Sequence, residues 1–200
     1  MTKPVIAIDI DDVIADSTEL VRRLTNQVTG ASLTTEHFRV PAAYSRYYEH
    51  VWSSNNLDMS FDKLDSNMKL DQSHMVLLKD AEKAISLLTK QASLFALTSR
   101  PLDWEPATTA WLNTHFPNDF KQMIFTEDLK WQGQTKGEIC KILGVEWLID
   151  DRIDFCQSAI KLGVGAILFG EYGWHHEDVT DDLIRCKSWQ EVLEYFNAES

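Results

Sequence analysis

Cysteine is scarce in this chain and scattered: Cys140, Cys156 and Cys186 are all there is, with no CxxC pair. An odd number at wide spacing excludes a disulfide framework and a zinc site, and it suits a reducing, cytoplasmic setting. Long apolar runs are missing too, so no segment reads as a membrane span, and residues 1–4 lead into a short strand rather than a signal peptide. No repeat or low-complexity stretch interrupts the 200 residues. Basic residues are in short supply, 19 against 31 acidic ones, for a net charge of −12. Such a surface repels a nucleic-acid backbone, which argues against a polymer-binding role. A small anionic ligand would need local positive charge, from a metal or from a few placed Lys and Arg. The partner expected is therefore a small molecule, bound by a monomer or homodimer.

What is present is an ordinary globular composition, 44% hydrophobic and 25% charged, and long enough for one domain with a sizeable insertion. Val5-Ile6-Ala7-Ile8 reads as a fully buried strand, and it runs into Asp9-Ile10-Asp11-Asp12-Val13-Ile14. Three carboxylates at the C-terminal end of such a strand stand where open α/β sheets place their ligands. Crowded like charges cost free energy unless a cation or a shared proton relieves them. A hard divalent metal, and with it phosphate chemistry, is the expectation.

Further along, Asp16-Ser17-Thr18-Glu19 looks like a helix start leading into Leu20, Val21, Leu24 and Val28. From there to about Ser73 no strand pattern occurs, only helical or irregular sequence rich in aromatics: Phe38, Tyr44, Tyr47, Tyr48, Trp52 and Phe61. Helical spacing returns over Met75–Thr89. Strands are expected at 93–97, 123–125, 146–149 and 166–169, separated by helices near 110–112, from Thr135, around 158–162 and finally over 189–196. This alternation implies an α/β fold with a doubly wound, parallel, five-stranded sheet. Residues 17–75 are too many for a normal crossover and should form a small helical cap. The core is then residues 1–16 and 76–200.

Three strand ends carry chemistry: Asp9/Asp11/Asp12, Thr98-Ser99-Arg100, and Asp150/Asp151. Lys136 opens a helix behind Thr135, which can cap it. Each signal alone is weak, but a doubly wound sheet sets these ends side by side. In this order they resemble the four motifs of the haloacid dehalogenase-like (HAD) hydrolase superfamily: Ile8-Asp9-Ile10-Asp11-Asp12-Val13, Leu97-Thr98, Lys136, and Leu148-Ile149-Asp150-Asp151. The insertion after the first motif is where that superfamily places a C1-type cap on its Rossmannoid core. Val13-Ile14-Ala15-Asp16, Thr98-Ser99-Arg100-Pro101 with Trp111-Leu112, and Asp151-Arg152 are similar to the 5'(3')-deoxyribonucleotidase-type group.

The resemblance implies a magnesium-dependent phosphomonoesterase acting on nucleoside or deoxynucleoside monophosphates through an aspartyl-phosphate. Asp9 would be the nucleophile and Asp11 the acid and base, its pKa raised by its carboxylate neighbours. Mg2+ would join the Asp9 carboxylate, the Asp11 backbone carbonyl, and Asp150 or Asp151. Thr98, Ser99 and Lys136 would hold the phosphoryl group, and Arg100 could reach it as well. Lys130 and Lys141 flank Lys136 and compete with it for the third-motif role.

One departure is Asp12, at a position where the superfamily commonly has glycine. An extra carboxylate there either points away from the site or tunes metal affinity. One or two of the cap aromatics would suffice to stack a nucleobase, and the rest should pack the cap. Arg152, beside the fourth motif, could contact substrate or pair with carboxylates. His175-His176-Glu177-Asp178 resembles a metal cluster only superficially, because adjacent histidines on a loop seldom converge on one ion. Competing functions are a phosphatase of a sugar phosphate or other small metabolite, and a non-catalytic module that binds metal and phosphate. Dehalogenation needs no magnesium, and a phosphorelay receiver lacks the insertion, so both fit less well.

Overall fold

The computed structural model describes residues 3–175 and 183–198. Its centre is a parallel sheet of β1 (Val5–Ile8), β2 (Ser93–Thr98), β3 (Phe120–Phe125), β4 (Trp147–Asp150), β5 (Gly165–Phe169) and β6 (Ile184–Cys186). The strand order is β3-β2-β1-β4-β5-β6. The sheet thus has six strands where five were expected. The sixth, Ile184-Arg185-Cys186, pairs with β5 at the sheet edge and has only three residues, with Arg185 exposed between its neighbours. So short a run carries no periodicity to read.

Alternate side chains along each inner strand enter opposite layers of core. Ile6, Ile8, Ala96, Ile149 and Ile167 pack on one face; Ala7, Phe95, Leu97, Leu148 and Leu168 pack on the other. Burial on both faces explains why these strands read as continuous apolar runs. The helices are α1 (Ser17–Thr29), α2 (Tyr47–Ser54), α3 (Phe61–Leu70), α4 (Ala81–Leu88), α5 (Glu105–His115), α6 (Lys136–Ile142), α7 (Ile153–Ile160) and α8 (Trp189–Ala198). The helix expected from Met75 begins at Ala81, because Asp80 takes a left-handed backbone (φ 64°) and Ala15 and Leu77 form an isolated antiparallel bridge. The helix expected around 158–162 begins earlier, at Ile153, and ends at Ile160. Cys140, Cys156 and Cys186 are free and buried. Among the described residues no helix is long and apolar enough to cross a membrane.

β1 lies between β2 and β4, with Ile8 level with both Ala96 and Ile149. From β1 the chain proceeds through β2 to β3 on one side, and from β4 through β5 to β6 on the other. The carboxyl ends of β1, β2 and β4 therefore border one crevice, the switch point at which such sheets bind ligands.

Candidate active site

The turn after β1 is built on one carbonyl. Ile14 N and Ala15 N both donate to Ile10 O, at 3.1 and 2.9 Å, around a fully buried Ile10 side chain. Asp9 N donates to Ile149 O at 3.0 Å, which fastens the start of the turn to β4. On the far side of β4, Thr135 caps α6 by accepting from Glu138 N (3.2 Å), while Glu138 accepts from Thr135 N (2.6 Å). This box sets the direction of the first helical residue, Lys136.

Lys136 is 2% exposed and reaches both strand ends. Its ammonium donates to Asp150 Oδ2 at 2.6 Å and lies 3.0 Å from Asp9 Oδ1. The two carboxylates keep it charged: burial pulls its pKa down, but Asp150 and Asp9 together raise it above the ordinary lysine value. Lys130 instead pairs with Asp128 at the surface, and Lys141 is exposed.

Asp9, Asp150 and Asp151 are all buried, and one carboxylate oxygen from each falls within 4.8 Å of the others. Burial raises the Asp9 carboxyl to about 7, with Lys136 pulling it down and Asp150 and Asp11 pushing it up. Burial also raises Asp151, helped by Asp150 and Asp9. Lys136 stands beside Asp9 Oδ1 but off the hydrogen-bond direction, so this buried oxygen has a charge near it and no aligned donor. Three buried carboxylates crowded beside one ammonium are costly, and a hard cation relieves them at once. The donor set, all oxygen, fits a divalent cation of the magnesium type. Asp150 already accepts from Lys136 and, through Oδ1, from Arg152 N at 2.9 Å, which leaves Asp9 and Asp151 the less committed ligands.

Asp11 stands apart from this cluster. Arg100 grips it with two parallel bonds, Nε to Oδ2 at 2.8 Å and Nη2 to Oδ1 at 2.7 Å, and the Ser17 hydroxyl also donates to Oδ1. The expected upward shift of its pKa does not occur. Burial does raise it, but the Arg100 charge and hydrogen bonds, with Ser17, outweigh burial and hold the carboxyl below its ordinary value. Arg100, expected at the substrate, spends its guanidinium on Asp11, Gln72 and Thr108.

Asp12 turns away from the metal cluster. It adopts a left-handed backbone (φ 55°), the conformation for which glycine would serve. Its carboxylate accepts from Thr18 N (3.0 Å) and Thr18 Oγ1 (2.9 Å), and so satisfies the start of α1 together with Asp16, which accepts from Glu19 N. Burial raises the Asp12 carboxyl to about 7 against the Thr18 hydrogen bonds. Thr98 is fully buried and its hydroxyl oxygen accepts from Arg100 N at 3.1 Å; Ser99 is exposed at the cavity wall.

Several supporting residues were not assigned to the site from the sequence, where His175 stood only in a superficial metal-like cluster. Tyr172 donates to Asp12 O at 2.5 Å, Trp174 Nε1 donates to Asp151 O at 3.1 Å, and His175 also bonds that carbonyl. These three follow β5 and clamp the backbone of both acidic turns. Only indole, phenol and imidazole donors in a polar loop announce them, and such loops are common. His176, Glu177 and Asp178 lie outside the described residues.

A cavity of about 440 Å³ opens above the site. Asp9, Asp11, Asp12, Ser99 and Arg100 supply polar lining, and Tyr44, Tyr48, Phe61, Trp104 and Phe155 supply aromatic lining. Of the aromatics singled out in the insertion, Phe38, Tyr47 and Trp52 are buried in the core, and Tyr44, Tyr48 and Phe61 border the cavity. Trp104 and Phe155 come from the segments after β2 and β4. Arg152 also lines it, its guanidinium 4.2 Å from the Tyr44 ring centroid and 3.8 Å from that of Phe155.

No protein-family model matches the sequence, and no curated protein matches it. Solved structures do match across the whole chain. The HAD-hydrolase YfnB of Bacillus subtilis, solved bound to magnesium, superposes with a TM-score of 0.63 at 13% identity, covering 98% of this chain and 100% of its own. A predicted phosphatase of Clostridium acetobutylicum gives 0.64 at 16% identity, with 99% and 100% covered. A predicted phosphoglycolate phosphatase of Haemophilus somnus gives 0.61 at 13%, with 98% and 99% covered. At these identities the likeness is one of fold, and the fold is that of HAD-superfamily hydrolases.

Proposed function

We propose that this chain is a magnesium-dependent phosphomonoesterase that works through an aspartyl-phosphate on Asp9. The observation that carries the reading is the buried Asp9 carboxylate, which has an oxygen without an aligned donor, beside Lys136 and within one cluster with Asp150 and Asp151. Magnesium, held by Asp9, Asp151 and Asp150 with the Asp11 carbonyl, would neutralise the carboxylates and the phosphoryl charge. An Asp9 oxygen attacks phosphorus, and the bond from phosphorus to the ester oxygen breaks. Asp11 gives the departing oxygen its proton. Asp11 then takes a proton from water as that water attacks the aspartyl-phosphate, which releases phosphate and restores Asp9. The carboxylate as Arg100 holds it is set for this second step; the first requires Asp11 to carry a proton. Lys136 offsets charge on the transferring oxygens, with Thr98 and Ser99 near the same strand end.

Residues 17–75 are read as a small cap on the core formed by 1–16 and 76–200, and as the source of selectivity. Tyr44, Tyr48 and Phe61 on this cap, facing Trp104 and Phe155, suit a planar base, so nucleoside or deoxynucleoside monophosphates are the proposed substrates. A second reading, a small phosphorylated metabolite, is favoured by the neighbours named as phosphoglycolate phosphatases; Arg152, which lines the cavity, sets its fork on Asp154, with Nε to Oδ1 at 3.0 Å and Nη2 to Oδ2 at 2.6 Å.

The test is phosphate release from a panel of nucleoside 5'- and 3'-monophosphates, sugar phosphates and phosphoglycolate, with magnesium or with chelator, beside Asp9→Asn. Magnesium-dependent turnover that Asp9→Asn abolishes supports the mechanism, and the ranking names the substrate class. Turnover that survives Asp9→Asn contradicts it. A folded protein that binds magnesium and phosphate but hydrolyses nothing is a binding module.

A further inference from the structure

Arg100 is 3% exposed, and each nitrogen of its guanidinium meets protein. Beyond the two bonds to Asp11, Nη1 donates to Gln72 Oε1 at 2.7 Å and to Thr108 Oγ1 at 3.2 Å, and Nη2 lies 3.1 Å from Met75 Sδ. Thr108 in turn donates to Gln72 Oε1 at 3.1 Å. Gln72 and Thr108 are 2% and 0% exposed. One side chain thus joins the turn after β1, the segment that returns from α3 to α4, and α5.

An arginine that recognises phosphate presents its planar fork to the ligand. Here the fork faces Asp11 and the opposite nitrogen faces two neutral oxygens, so little is left for a substrate. The arrangement is also a poor way to gain stability, since buried ion pairs often do no better than apolar residues of the same volume. What two parallel bonds do provide is a fixed plane for the carboxylate. Ser17 adds a third restraint on Oδ1, while Asp11 keeps 29% of its side chain exposed in the cavity.

We infer that Arg100 is a positioning residue, which fixes the plane of the Asp11 carboxylate for both of its proton transfers, to the departing ester oxygen and from the attacking water, and is itself held by Gln72 and Thr108. This rests on the proposed role of Asp11 as the acid of the first step. In that step the Asp9 oxygen bonds to phosphorus, the ester bond breaks, and the Asp11 proton passes to the oxygen that leaves. A phenolate needs that proton; a nitrophenolate leaves without it.

The experiment compares kcat/KM for phenyl phosphate and p-nitrophenyl phosphate, two esters of similar size, in the full chain and in Arg100→Lys, Gln72→Met and Thr108→Val. Because kcat/KM reports on steps up to formation of the phosphoenzyme, it isolates the proton transfer. Arg100→Lys is expected to lose about 10²-fold on phenyl phosphate and less than about tenfold on p-nitrophenyl phosphate. Inhibition by inorganic phosphate should stay within about threefold of the unmodified protein. Gln72→Met and Thr108→Val should show the same selective loss at smaller size, and they carry the test if Arg100→Lys does not fold. Equal losses on both esters would overturn the inference in favour of a purely structural arginine. Phosphate inhibition weakened by more than about tenfold would overturn it in favour of a substrate ligand. Asp9→Asn separates the two levels: turnover in that variant would defeat the aspartyl-phosphate reading, and this inference with it.

Discussion

Among the described residues Lys136 is the ammonium that stands between two buried carboxylates, and its removal tests how the site is balanced. Lys136→Met would leave Asp9 and Asp150 without their cation, which costs about 3–5 kcal/mol when a buried pair is broken. Urea unfolding in chelator should show that loss, and millimolar magnesium should recover part of it by taking over the neutralisation. A loss that magnesium does not change would mean the cation binds elsewhere. The place of Lys136 at a helix start was legible because Thr135 can cap that helix; Lys130 also follows a capping residue, Asp128, but pairs with it at the surface. The partners of Asp11 were not legible. Gln72 lies in the stretch that read only as helical or irregular and Thr108 just before the helix expected near 110–112, and nothing in a sequence marks a glutamine that will be buried against an arginine. The same gap produced the wrong direction for the Asp11 pKa, since neighbouring carboxylates are visible in sequence and an arginine 89 positions away is not seen to be aimed at it.

At the scale of elements, the site depends on α6 lying close to α7. A Cβ on Gly137 would come within 2.6 Å of the Ser158 carbonyl carbon and oxygen, and Gly137 N already donates to Ser158 Oγ at 3.1 Å. Gly137→Ala must therefore push the two helices apart, at a cost of about 1–3 kcal/mol. Because Lys136 is the preceding residue, activity should fall with it; a variant as stable and active as the original would show that the contact is not tight. At the start of α1, Glu19 accepts from Arg22 and Arg23 at 2.6 and 2.7 Å. The Arg22 hydrogen bonds lower the Glu19 pKa, with burial opposing them. A carboxylate with a depressed folded-state pKa adds stability above its ordinary value of 4.5, and that stability is lost as pH falls through the folded value. Glu19→Gln should accordingly flatten the acid side of a stability–pH profile by a few tenths of a kcal/mol, about what exposed helical pairs contribute. An unchanged profile would assign the acid slope to other carboxylates. Strands with two buried faces were legible as apolar runs, which is why β1, β2, β4 and β5 stood out. β6 and the return from α3 to α4 did not, because an edge strand of three residues and a segment fixed by long-range bonds have no period.

The whole molecule gathers its chemistry at one crevice of a sheet, in a chain that carries a net charge of −12. Local cations have to offset this field, and among the groups of the site only Lys136, Arg100 and Arg152 supply positive charge. A bound divalent cation should therefore stabilise the entire fold. At about a hundredfold excess over Kd the gain is about 2.7 kcal/mol, seen as a higher Tm than in chelator. Asp151→Asn should lose most of that gain; retention of the full shift would remove Asp151 from the ligand set. The central claim, that phosphorus passes through Asp9, is open to a direct chemical test. The protein is mixed with magnesium and p-nitrophenyl phosphate, quenched early, reduced with borohydride and mapped by peptide mass spectrometry. Reduction confined to Asp9, absent without substrate, is the expected result. A reduced carboxyl elsewhere, or none during rapid turnover, would contradict the account.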